Sequence, residues 1–91
     1  MDAKVAIALA KNHVAEMFKD ELTAPPTLEE IWLDDRRDEW FVTLGVRRPT
    51  NYVERDPFRL PAGGRTVPDY KVVQIANKDG KVASVRNRET V

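Results

Sequence analysis

The sequence contains no cysteine among its 91 residues. That excludes a disulfide framework, a thiolate nucleophile and any sulfur ligand for zinc, and it fits a cytoplasmic protein held together by packing alone. Serine and histidine are almost as scarce, with Ser84 and His13 the sole examples. No Gly-x-Ser-x-Gly elbow surrounds Ser84, and His13 sits beside the apolar stripe of a predicted helix, where a histidine without a positioned partner reads as a boundary residue. Neither residue builds a serine hydrolase. No apolar run approaches the roughly 20 residues that a membrane span requires, and Lys11 and His13 interrupt the N-terminal stretch, so neither signal peptide nor anchor is expected.

Net charge is absent too, but the zero hides a split. Residues 1–46 carry five basic side chains (Lys4, Lys11, Lys19, Arg36, Arg37) against ten acidic ones, and residues 47–91 carry ten basic against five acidic. The halves complement each other across the fold or between two copies of the chain; an anionic partner is the alternative.

The hydrophobic fraction of 42% and charged fraction of 33% are those of a globular domain. Ile7, Ala10, Val14, Phe18 and Leu22 recur at helical spacing, flanked by Leu9 and Met17, while Asp2 caps the start and Pro25-Pro26 forbid continuation. A helix over about residues 3–21 is predicted. A first hairpin over about 29–47 turns at Asp35-Arg36-Arg37-Asp38, which sets Leu33 opposite Trp40 and Ile31 opposite Val42. A second, over about 70–87, turns at Asn77-Lys78-Asp79-Gly80 and sets Val73 opposite Val85 and Ile75 opposite Ala83. Between them residues 48–68 contain Pro49, Pro57, Pro61, Gly63, Gly64 and Pro68 and read as one long loop, expected to be the most mobile segment from about Asn51 to Pro68. The fold class is therefore α+β: one domain over residues 1–91, with an N-terminal amphipathic helix packed on one face of a three- to four-stranded antiparallel sheet.

Candidate chemistry is thin. Asp34, Asp35, Asp38 and Glu39 crowd one turn, but they lack the alternating ligands of a calcium loop and enclose Arg36-Arg37, so a solvated turn is the better reading. Ala62-Gly63-Gly64-Arg65-Thr66 lacks the lysine and the following helix of a phosphate loop. No catalytic residue, metal site or cofactor is assigned. Two surfaces carry more information. The outer sheet face gathers Trp32, Phe41, Tyr70 and Arg86, unless other parts of the chain cover the rings. The long loop and its flanks interleave Arg47, Arg48, Arg55, Arg59 and Arg65 with Tyr52 and Phe58, a composition suited to phosphates or acidic protein surfaces; Glu54, Asp56 and Asp69 dilute it.

The stretches Trp40-Phe41-Val42-Thr43-Leu44-Gly45, Tyr70-Lys71-Val72-Val73 and Asp79-Gly80-Lys81-Val82-Ala83-Ser84-Val85 together resemble a set of small bacterial proteins of unassigned activity. The last two also look like the terminal hairpin of PepSY-type modules and of immunity proteins with an NTF2-like fold. That resemblance implies a bacterial source and a partner that binds other proteins.

The reading that follows is a non-enzymatic protein-interaction domain, an immunity or regulatory partner in a bacterial operon, acting through the outer sheet face and the arginine-rich loop and forming a homodimer. The alternative is a nucleic-acid-binding module in which the arginines contact phosphates while Trp32, Phe41 or Tyr70 stack on bases.

Overall fold

The computed structural model describes residues 1–49 and 66–88, and the fold is α+β. Helix α1 spans Ala3–Met17, and its Asp2 cap accepts a hydrogen bond from the Val5 N–H at 2.9 Å. The helix stops four residues short of the expected position. Phe18 leaves helical geometry, and its carbonyl accepts from the N–H groups of Glu21 and Leu22 at 2.8 and 3.2 Å. This turn redirects the chain so that Leu22 packs on the core and the Thr23 N–H reaches the Arg47 carbonyl at 3.0 Å.

The side of the helix facing the sheet is Ala6, Ala10 and Val14, all fully buried, whereas Ile7 is only half-buried. The expected stripe thus holds at Ala10, Val14, Phe18 and Leu22 and differs at its start, where Ala6 takes the place of Ile7. Two alanines in the stripe let the helix backbone approach the sheet, and the larger Leu9, Phe18 and Leu22 fill its margins.

Four antiparallel strands follow in meander order, β1 Thr27–Asp34, β2 Glu39–Pro49, β3 Thr66–Ala76 and β4 Val82–Asn87. The first hairpin has the register set by its four-residue turn, with Leu33 opposite Trp40 and Ile31 opposite Val42. Asp34 Oδ1 accepts from the N–H groups of Arg36 and Arg37 at 3.0 and 3.3 Å, and Asp38 takes up the left-handed conformation (φ 56°) that an aspartate tolerates. The second hairpin places Val73 opposite Val85 as expected, but Ile75 pairs with Val82 rather than Ala83. An irregularity in the ladder absorbs Ala83, which stays exposed while the larger Val82 packs against the core. Gly80 supplies the positive φ of 74° that closes this turn.

The connection between the hairpins is shorter than residues 48–68, because Arg48 pairs with Val67 and Pro49 with Thr66. Pro68, opposite Arg47, is tolerated because of which way its nitrogen faces: two residues on, the Tyr70 carbonyl accepts from the Arg88 N–H on the edge away from β2. By ladder alternation the Pro68 nitrogen points to that same edge, so its missing N–H breaks no bond of the ladder between β2 and β3. Of the segment 51–68 expected to be most mobile, residues 66–68 belong to β3 and residues 51–65 lie outside the described residues.

The core lies between α1 and the inner sheet face, where Val42, Leu44, Val46, Val73 and Ile75 are fully buried. At the turn end, the Asn77 side chain joins three parts of the chain. Its Oδ1 accepts from Trp40 Nε1 at 2.8 Å and from the Met1 ammonium at 3.1 Å, and its Nδ2 donates to Asp38 Oδ1 at 2.8 Å. Among the described residues no helix is long and apolar enough to cross a membrane.

Candidate interaction face

Alternation along the strands sends every second side chain away from α1. Register then fixes the neighbours. One row across the outer face reads Trp32, Phe41, Gln74 and Ser84, and the next reads Glu30, Thr43, Val72 and Arg86. Below these Gly45 stands opposite Tyr70. Trp32 and Phe41 stack with ring centroids 4.5 Å apart and planes 11° from parallel. Trp32 nevertheless remains 48% exposed, a large apolar surface held in a fixed orientation. Beside it the polar groups are ordered: Ser84 Oγ donates to Gln74 Oε1 at 2.9 Å, and Gln74 Nε2 donates to Glu39 Oε1 at 2.7 Å.

The face is charged asymmetrically. Its β1 margin carries Glu29 and Glu30, and its β4 margin carries Arg86 and Arg88. Arg88 Nη1 lies 3.4 Å from Glu30 Oε1, and because these residues belong to opposite margins, their side chains must cross β2 and β3 to meet. The middle of the face is covered there, where Thr43 is only 3% exposed. Glu29 occupies the irregularity in β1, and its carboxylate accepts from Thr27 Oγ1 at 3.0 Å. It also fills the space beside Gly45, where an added Cβ would lie 2.9 Å from Glu29 Oε2.

Of the residues expected to form the interaction surface, the structure brings Trp32, Phe41, Tyr70 and Arg86 to one face. Arg47 belongs to the same face by alternation with the buried Val46, and its side chain is exposed. Arg48 lies in β2, while Arg55, Arg59 and Arg65 fall outside the described residues. Glu30 falls on this face as the strand alternation predicts, whereas the contribution of Glu29 was missed, and so was the Glu30–Arg88 pair. Its signal, opposite charges on the two outermost strands, is visible only after the strand order is known.

Sequence reasoning also missed Lys71, which faces the core and is only 6% exposed. Its Nζ sits 3.1 Å from Asp69 Oδ2, donates to Asn87 Oδ1, and lies 5.2 Å from the centre of the Phe18 ring. Carboxylate, amide and aromatic face together hold a cation, which suits a charged plug at one end of the core. On the helix side, Leu9, Asn12, His13, Gly80 and Val82 line an open, largely apolar groove between α1 and β4. His13 contributes to its wall, and among the described residues no three histidine, aspartate or glutamate side chains gather as a metal site.

Comparison of the chain with protein families, curated proteins and solved structures finds no match.

Proposed function

We propose that this chain is a non-enzymatic protein-interaction domain that acts through the outer face of its sheet, as an immunity or regulatory partner of another protein in a reducing compartment. The observation that carries the reading is the stacked Trp32–Phe41 pair, with Trp32 48% exposed on the side away from α1. Aromatic anchors beside arginine are what protein interfaces concentrate at their centres, and a tryptophan already fixed by stacking loses little side-chain entropy on binding.

The same rings and arginines would suit single-stranded nucleic acid, but the acidic residues argue against it. Glu29, Glu30 and Glu39 lie on the face that bases and phosphates would have to occupy, where they would repel a polyanion. A protein partner matches mixed charge more readily.

The test is capture from extract, with and without nuclease treatment, on the immobilised chain, at low and high salt, comparing wild type with Trp32→Ala plus Phe41→Ala. A defined protein retained by the wild type and lost by the variant supports the reading. Retention of nucleic acid, with binding that collapses as salt rises, would replace it with the alternative.

A further inference from the structure

The ionic groups of the outer face are unevenly satisfied. Glu30 and Arg88 pair with each other, whereas Glu29 on the β1 margin and Arg86 on the β4 margin have no ionic partner among the described residues. They are exposed, of opposite sign, and separated by the width of the sheet. From this placement we infer that the outer face binds a second copy of the same chain, with Glu29 of each protomer meeting Arg86 of its partner. The inference rests on reading that face as an interaction surface, and it names the partner.

The geometry follows from strand order. Two copies stacked face to face about a two-fold axis parallel to the strands are reversed across the sheet, so the β1 margin of one lies over the β4 margin of the other. The Glu30, Thr43, Val72 and Arg86 row then meets its own reverse. Glu29, less than one row away, comes within side-chain reach of the partner's Arg86, and symmetry makes the contact twice. Trp32 and Phe41 meet the partner's Ser84 and Gln74 row, which is already internally hydrogen-bonded and therefore ready to lie against rings. Turning the axis perpendicular to the strands would instead put Glu29 over Glu29 and Arg86 over Arg86, which like-charge repulsion disfavours. The contact is isologous and closes at two copies, without using the edges of β1 or β4.

Sedimentation velocity provides the test. The wild type should be dimeric at micromolar concentration and weaken in high salt. Glu29→Arg and Arg86→Glu should each weaken dimerisation by roughly tenfold or more, since each sets like charges opposite one another twice. An equimolar mixture of the two variants should recover dimer, because every Glu29 and Arg86 contact in the mixed pair is again between opposite charges. Circular dichroism establishes that each variant is folded, and the size-conserving Glu29→Gln and Arg86→Gln should each weaken the dimer severalfold if a reversal proves disruptive. A wild type that stays monomeric at high micromolar concentration overturns the inference, as does a dimer indifferent to both variants, or a mixture that stays monomeric. None of these results bears on capture of another protein that depends on Trp32, so failure here is distinguishable from failure of the broader reading.

Discussion

Replacing Asn77 with alanine tests how the two hairpin turns and the start of the chain are held together. The truncation removes three side-chain hydrogen bonds, to Trp40 Nε1, the Met1 ammonium and Asp38 Oδ1. Only the first is partly buried, so the indole N–H is the group that loses most, at roughly 1–2 kcal/mol, while the two exposed bonds add about 0.5 kcal/mol each at most. The expected loss is about 1–3 kcal/mol, which for a chain of this length lowers the melting midpoint by roughly 5–25 °C. Trp40→Phe removes the donor while retaining most of the packing, so in the double variant the Asn77 truncation should cost about 1 kcal/mol less than in the wild type. Thermal and urea melts of the four proteins give the cycle. A loss below about 0.5 kcal/mol for Asn77→Ala, or simple additivity with Trp40→Phe, would refute the idea that this side chain is a junction.

Val42→Ala and Phe18→Ala should each destabilise by roughly 1–5 kcal/mol in the same melts, since one side chain is fully buried and the other closes the core beneath Lys71. Gly80→Ala should cost about 1–2 kcal/mol, because φ is 74° there and the new methyl would lie 3.1 Å from Leu9 and 3.2 Å from Met1. Lys71→Met keeps the length but removes the donor that Asp69 and Asn87 share, so it should lower stability by roughly 1–3 kcal/mol; Lys71→Glu, which opposes Asp69 at a nearly buried position, should lower it by roughly 3 kcal/mol or more.

Local pattern carried the parts of this fold that are local. The Asp35 to Asp38 turn fixed the first register because its length leaves one alternation consistent with Ile31, Leu33, Trp40 and Val42 sharing a side. The same alternation put Trp32 and Phe41 on the outer face. The helix stripe departs from expectation only at its first member, because a hydrophobicity ranking prefers Ile7 to Ala6, whereas the contact with the sheet favours a small side chain. The ends of β2 and β3 were hidden by prolines, which usually exclude a strand. Pro68 is compatible with one because its nitrogen faces away from β2, a fact about the ladder and not about the composition of residues 66–68. Nothing local marks Lys71 as buried, since its neutralisation depends on Phe18 from the helix end and Asn87 from β4. Glu29, Glu30, Arg86 and Arg88 became a charge pattern only when the order of the strands set the two pairs on opposite margins.

The central claim is that the outer sheet face, and not the groove beside α1, is where this chain binds. Amide and indole chemical shifts of isotopically labelled chain, recorded as the bound state is populated by raising its own concentration or by adding a captured partner, locate the contact directly. The account predicts that the Trp32 indole and the amides of Phe41, Val72 and Arg86 move first and furthest, while Leu9, His13 and Val82 stay still. Shifts centred on Leu9, His13 and Val82, with Trp32 unchanged, would contradict it.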